Sequence, residues 1–445
     1  MSAKKLAEFI KKAVSPYHTV EESRKILEEK GFSRLEAGEE WKLKKGGKYY
    51  VIPFKTAIFA FTLPKAKTAR GVHIAAAHTD FPCLHLKPKA EQASAGYMRL
   101  NVEVYGGPIL NTWLDRPLSI AGRVLLKSKN VYAPKEVLVN FERPVVTIPN
   151  LAIHYNREVN KGVELTKQND MLPLLGVLAD ELDKDGYFTE FLAKEIGAKP
   201  SDILDFDLIV YNPEAPAFVG MNADMLSSPR LDNITSCFAL VEGIGCEAKA
   251  AGSKKTAGKA GTKGKTTAVE EGVNLIALFD NEEIGSGTKQ GADSMLLNGI
   301  LKRIYAAMGQ TETELVNDIQ KGFLLSVDVA HALHPAKTEK FDRNNCMLMG
   351  EGVTFKLSAN QRYSYDAVAV ASLQQLCDKN KIKYKKFVNH SDMPGGGTLG
   401  PIISSWLPMY TVDIGVPILA MHSARELMGA SDQDELEKLI RAFMD

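Results

Sequence analysis

The chain has 445 residues, 55 basic against 54 acidic side chains and a net charge of +1, so nothing in its charge points to a nucleic acid or an anionic membrane as partner. That length is enough to bury a large core and, as a prior, allows about three domains. The five cysteines (Cys83, Cys237, Cys246, Cys346 and Cys377) contain no CxxC pair, Lys4, Lys5, Lys11 and Lys12 interrupt any signal core, and no apolar run approaches the roughly 20 residues that cross a bilayer, a pattern expected of a cytoplasmic protein with reduced thiols.

From the N-terminus, Leu6, Phe9, Ile10 and Val14 share one helical face, and Thr19 with Glu22 predicts a capping box for a second helix that stops at Gly31. Lys48 to Leu63 reads as a hairpin turning around Pro53 to Thr56. The apolar run Val72 to Ala77 then delivers His78, Thr79 and Asp80. From about Pro82 to Met221 the texture changes to short β-branched runs and turn residues, with no strand that ends in paired ligand-type groups. This predicts a β-rich domain over residues 83–221, inserted into a catalytic domain made of residues 1–82 and 222–445. Beyond Asp224 helix and strand patterns alternate again, which predicts an α/β fold around a mostly parallel sheet. Between Ala248 and Ala268 the chain is Lys, Gly, Ala and Thr without a large apolar side chain, the composition of a mobile surface loop. Its Gly258 to Gly264-Lys265-Thr266 has one residue too many for a phosphate-binding loop, and Gly285 to Gly291 is likewise one place too long for a dinucleotide fingerprint.

The chemistry collects at strand ends. Val273 to Phe279 runs into Asp280-Asn281-Glu282-Glu283, Phe323 to Val327 into Asp328, and Val416 to Met421 into His422. Apolar runs of this kind read as buried parallel strands, and open α/β sheets keep their ligands at the carboxyl ends of such strands. With His78, they predict a dinuclear metal site and a hydrolase. His78, Asp328, Glu283 and His422 supply one nitrogen and one oxygen for each of two divalent ions, and Asp232, just ahead of a helix beginning near Ile234, is the best candidate for the bridging carboxylate. Glu282 is then left over beside a ligand, where it can carry a proton from an activated water to a leaving amine as general acid/base. Asp80, two residues beyond His78, is placed to hold the other imidazole N–H. His73, inside its strand, reads as structural.

In this order His78-Thr79-Asp80, Pro229-Arg230-Leu231-Asp232-Asn233, Asp280 to Ser286, Asp328 to Pro335 and Met421 to Glu426 closely resemble the aspartyl aminopeptidase and aminopeptidase I family of dinuclear zinc metallopeptidases. Tyr105-Gly106-Gly107, Thr112 to Leu118 and Ala152-Ile153-His154 extend the resemblance into the insertion. It implies an α/β catalytic domain interrupted by a β-rich dimerisation domain, and dimers assembled into a tetrahedral dodecamer. It places His78 and Asp328 on one ion, Glu283 and His422 on the other, Asp232 between them, Glu282 as general acid/base and Asp80 behind His78. It also implies that His154 reaches a neighbouring subunit's site and that His331 lines the substrate pocket. The expected activity is removal of single residues from peptides with a free N-terminus, using two divalent ions, zinc first, with cobalt or manganese able to take the same ligands. A related dinuclear hydrolase (carboxypeptidase or deacylase) and a non-enzymatic, metal-bound assembly protein are the alternatives. The glycine-rich loop Pro394 to Thr398 departs from the family pattern near the expected pocket.

Overall fold

The computed structural model describes residues 2–65, 71–177, 186–246 and 272–445. Its centre is a nine-stranded sheet ordered Ser33–Leu35, Lys48–Val51, Ile58–Thr62, Val273–Phe279, Val72–His78, Phe323–Val327, Tyr410–Gly415, Val353–Leu357 and Tyr384–Val388. The four strands from Val273–Phe279 to Tyr410–Gly415 are mutually parallel. Their apolar runs are continuous because both faces are covered. Ala75, Ala77, Ile276, Leu278, Leu325 and Val327 belong to one core with the helices Ser2–Lys12, Pro16–Glu29, Leu231–Gly243 and Ala430–Phe443. Ile74, Ala76, Leu275, Ala277 and Leu324 belong to the other, under Leu296–Ala307, Glu312–Gln320 and Leu399–Trp406.

Residues 83–211 contribute all six strands of a separate antiparallel sheet, ordered Lys135–Asn140, Ser119–Leu126, Ile203–Tyr211, Cys83–Ser94, Tyr97–Tyr105 and Leu174–Val177. The chain leaves the large sheet after Val72–His78 and returns to pair Val273–Phe279 against that same strand, with His78 opposite Phe279. A third sheet runs Ala217–Val219, Met225–Ser228, Glu426–Gly429, Pro417–Leu419, Ala330–His331. Among the described residues no helix is long and apolar enough to cross a membrane.

Three expectations need correction or restriction. The second helix starts at Pro16, with Ser15 as its cap, accepting from the His18 N–H. Proline at the first helical position has its φ already set, so Thr19 lies inside the helix, its hydroxyl donating to the Ser15 carbonyl. The run Val416 to Met421 is not a strand of the large sheet. Tyr410–Gly415 fills that place, and Pro417–Leu419 crosses into the third sheet, so His422 arrives from a loop beyond that sheet. The surface loop expected between Ala248 and Ala268 lies outside the described residues.

The switch between sheets has a tight spot at Gly415, where a Cβ would meet the Asp328 carbonyl oxygen at 1.6 Å. Gly415→Ala must therefore push apart the strands that carry Asp328. Overpacking of this kind is expected to lower the melting temperature by about 1–5 °C, read by thermal denaturation; an unchanged melting temperature would show that the strand end yields freely.

Candidate metal centre

Three of the parallel strands end side by side, and that edge gathers the ligand-type residues. His78 closes Val72–His78, Glu282 and Glu283 form a short turn after Val273–Phe279, and Asp328 follows Phe323–Val327. Asp232 comes from outside the large sheet, at the head of Leu231–Gly243, where Asp232 and Asn233 are non-helical and regular turns begin at Ile234. His422 completes the group from its loop, with φ +67°.

The two imidazoles are oriented alike. His78 Nδ1 lies 3.0 Å from the Asp80 carbonyl oxygen and 3.3 Å from its carboxylate, and His422 Nδ1 lies 3.1 Å from the Gly107 carbonyl oxygen. A ring nitrogen facing a carbonyl oxygen must carry the proton, which leaves the Nε2 lone pair pointing into the site in the neutral ring. His78 Nε2 is 3.5 Å from Asp232 Oδ1 and 3.6 Å from Asp328 Oδ1. His422 Nε2 is 3.3 Å from Asp232 Oδ2 and 3.5 Å from Glu283 Oε2. These gaps exceed a good hydrogen bond. They match the roughly 3.3 Å between two ligands that each stand about 2.0–2.1 Å from one tetrahedral ion. Asp232 Oδ1, Glu283 Oε1 and Asp328 Oδ1 are also buried without a hydrogen-bond partner. Orphaned carboxylate oxygens beside imidazole lone pairs are a donor set suited to zinc and its first-row neighbours.

Asp80 does more than orient His78. It lies past the strand rather than along it, its Oδ1 accepts from the Glu282 N–H and its Oδ2 from the Glu283 N–H, both at 3.1 Å, and Tyr105 donates to Oδ2 at 2.6 Å. The two neighbouring glutamates then face differently, Glu283 with 4 % of its side chain exposed and Glu282 with 16 %. Glu282 Oε2 stands 3.9 Å from His78 Nε2. Both glutamates line a cleft of about 600 Å³ with His331, Lys356, Tyr363 and, from the 394–398 loop, Gly396 and Gly397. His154 lies elsewhere, on an exposed turn, and does not line the cleft of its own chain.

Two residues that the sequence reading passed over belong to this edge. Lys356, fully buried in Val353–Leu357, donates to the Val329 carbonyl at 3.1 Å and stands 3.7 Å from Asp328 Oδ2; a lone lysine in an apolar strand was its signal. Glu426, buried at the start of Glu426–Gly429, accepts from the backbone N–H groups of Asp232 and His422.

Burial and crowding move the proton affinities. Burial, reinforced by Asp328, Asp80 and Asp232 against the opposing His78, lifts Glu282 to about 8. Burial and then Asp232 raise Glu283 well above the carboxylate range and Glu426 to about 8. For His78 burial acts downward, but Asp328 and Asp80 outweigh it and hold the ring well above its ordinary value. His422 is likewise raised to about 10 by Asp232 and Glu283 against burial. Asp328 is held low because Lys356 and His78 overcome its burial.

The aminopeptidase I zinc metalloprotease (M18) family model matches residues 9–444. A probable M18 family aminopeptidase 2 of Clostridium novyi (strain NT) is 40% identical over 443 residues, covering 99% of this chain and 98% of the relative. Among solved structures, the chain superposes on one from the complex of Ape4 and Nbr1 with a TM-score of 0.90 at 31% identity, covering 100% of this chain and 85% of that one. It also superposes on the S. cerevisiae mApe1 dodecamer with a TM-score of 0.80 at 27% identity, covering 99% and 95%.

The raised groups fix a sign for the stability of metal-stripped protein. Glu282 and Glu426 move from 4.5 to about 8 and His422 from 6.5 to about 10, so between those limits the folded chain binds more protons than the unfolded one. That contribution is present at low pH and is lost as pH climbs through the raised values. After chelation the melting temperature is therefore expected to fall between about pH 6.5 and 9, while in zinc-loaded protein, where bound cations displace the proton from His422 and lower the proton affinity of the neighbouring Glu282 and Glu426, this fall is not expected. Stripped protein that gains stability over the same range would contradict the assignment.

Proposed function

The chain belongs to the M18 family of aminopeptidase I zinc metalloproteases and is a metal-dependent aminopeptidase; from that premise we propose that it works through two divalent ions bridged by Asp232. The observation that carries this reading is the division of the Asp232 carboxylate, whose Oδ1 faces His78 and whose Oδ2 faces His422. His78 and Asp328 would hold one ion, Glu283 and His422 the other. A single-ion reading also has an observation in its favour, since His78, Asp232 and Glu283 each offer a ligand atom within 4.8 Å of the others. That set leaves the orphaned Asp328 Oδ1 and the inward Nε2 of His422 without a use, so the paired site is preferred. Zinc is the first expectation, and cobalt or manganese suit the same donors.

Bound divalent ions at these positions supply carbonyl polarisation and lower the pKa of a water toward about 7. The chain's own part begins with Glu282. The same burial that raises its pKa makes its carboxylate a stronger base, and its greater exposure than Glu283 points it at the cleft, where it takes the proton of the attacking water and hands it to the departing amine as the C–N bond breaks. Asp80 sets the angle of Glu282 through its backbone N–H and that of His78 through its ring. The acidic lining suits the α-ammonium of a peptide's free N-terminus, and His331, kept neutral by burial and by Lys356, lines the substrate side.

We further infer a homo-oligomer, of the dodecameric kind solved for mApe1, with the antiparallel sheet of residues 83–211 as its dimerisation unit. The exposed turn that carries His154 is flanked by exposed Leu151, Ile153 and Tyr155. In this reading it enters a neighbouring subunit's cleft, where His154 donates to the developing oxyanion.

Glu282→Gln is expected to keep its metal content and lower kcat about 10²- to 10⁴-fold, measured with aminoacyl chromogenic substrates and metal analysis. Loss of an ion together with activity would make Glu282 a ligand instead. His154→Ala should lose on the order of 10²–10³ in kcat. Mixed with His422→Ala in hetero-oligomers confirmed by mass, it should regain activity through composite sites, and no recovery would confine His154 to its own subunit or to the interface.

A further inference from the structure

We infer that Glu426 is a positioning residue for the ion on the His422 side of the cleft, an inference that rests on the two-ion reading above. Glu426 is 2 % exposed, and its two oxygens are taken by two backbone donors far apart in sequence. Oε2 accepts from the Asp232 N–H at 3.0 Å and Oε1 from the His422 N–H at 2.8 Å. The first is the bridging residue that faces both imidazoles, and the second is the imidazole residue of the His422 half-site alone. Neither backbone is fixed by helical hydrogen bonding: Asp232 is extended at a helix head, with φ −79° and ψ 110°, and His422 is left-handed at φ +67°. One carboxylate thus ties two otherwise independent loops together at the point where their side chains must converge.

The Arg230 guanidinium, which interacts electrostatically with Glu426, donates to the carbonyls of Asn212 and Ile10, and the two Glu426 oxygens accept from the ligand loops. The other half-site is braced differently. His78 rests on Asp80, and Asp328 is flanked by Lys356. A change at Glu426 should therefore act unequally on the two ions.

Glutamine makes the distinction sharp. A carboxylate offers an acceptor on both sides, whereas an amide must turn its NH₂ toward one of the two N–H groups, so one loop loses its acceptor and meets a donor. Changes to groups that orient metal ligands commonly cost 10- to 100-fold in affinity.

The test is a zinc titration of chelator-stripped wild type and Glu426→Gln against a chromophoric competitor, with the melting temperature of both stripped proteins. Wild type should take two ions. The variant should hold one ion about 10- to 100-fold more weakly and the other with a clearly smaller loss, with a stripped melting temperature close to wild type. Two ions bound by the variant at unchanged affinity overturn the positioning role, as does a parallel weakening of both together with a lower stripped melting temperature, the mark of a merely structural residue. A single ion in wild type overturns the two-ion reading itself and this inference with it. If the stripped glutamine variant does not fold, Glu426→Asp, which keeps the charge but falls one methylene short, is measured in the same way with the same selective loss expected and the same overturning results.

Discussion

The constraint on which the rest of the structure depends is the crowding of buried acids at one sheet edge. Asp80, Asp232, Glu282, Glu283, Asp328 and Glu426 converge there, and carboxylates cannot all ionise at close range in a desolvated place unless something answers their charge. The protein answers in two ways. Asp80 and Glu426 are neutralised in part by backbone N–H groups of the ligand loops, and Asp328 stands beside Lys356. The remaining inward oxygens face the imidazoles of His78 and His422, which without a cation answer the charge by holding a proton and with one can turn a lone pair to it. A site built this way carries an electrostatic demand for cations, from which coupling between metal binding and folding stability is expected.

The same edge explains why the antiparallel sheet matters to the chemistry. Tyr105, at the end of one of its strands, donates to Asp80, the Gly107 carbonyl orients His422, the Ile109 N–H holds the His422 carbonyl, and Thr112 accepts from the Ala424 N–H. These contacts anchor the His422 loop to segments from the other sheet. Movement of that sheet, through assembly or its loss, would be felt at a ligand.

Much of the convergence of residues in the candidate site was legible in the sequence because parallel strands advertise their carboxyl ends. The apolar runs before His78, Glu282-Glu283 and Asp328 end where they do because the chain leaves a sheet buried on both faces, and polar groups can only follow. His422 was found for a partly wrong reason. Its run looks like one more strand of the large sheet, but β-branched and apolar composition cannot tell which of two sheets a strand joins, and the crossing at Gly415 depends on contact with Asp328. The helix start was misplaced because Thr19 and Glu22 have capping-box spacing, while the combined effect of Ser15 and Pro16 wins locally. Glu426 stayed hidden inside a quoted motif. Its partners are backbone N–H groups 194 and 4 residues away, and no side-chain pattern records a bond to the backbone.

The central claim, two ions astride Asp232, is tested most directly by zinc-edge anomalous diffraction from crystals of the zinc-loaded protein. The account expects two peaks in each subunit about 3.5–4 Å apart, one beside His78 and Asp328 and the other beside Glu283 and His422. One peak per subunit, enclosed by His78, Asp232 and Glu283 with His422 standing free, would contradict it.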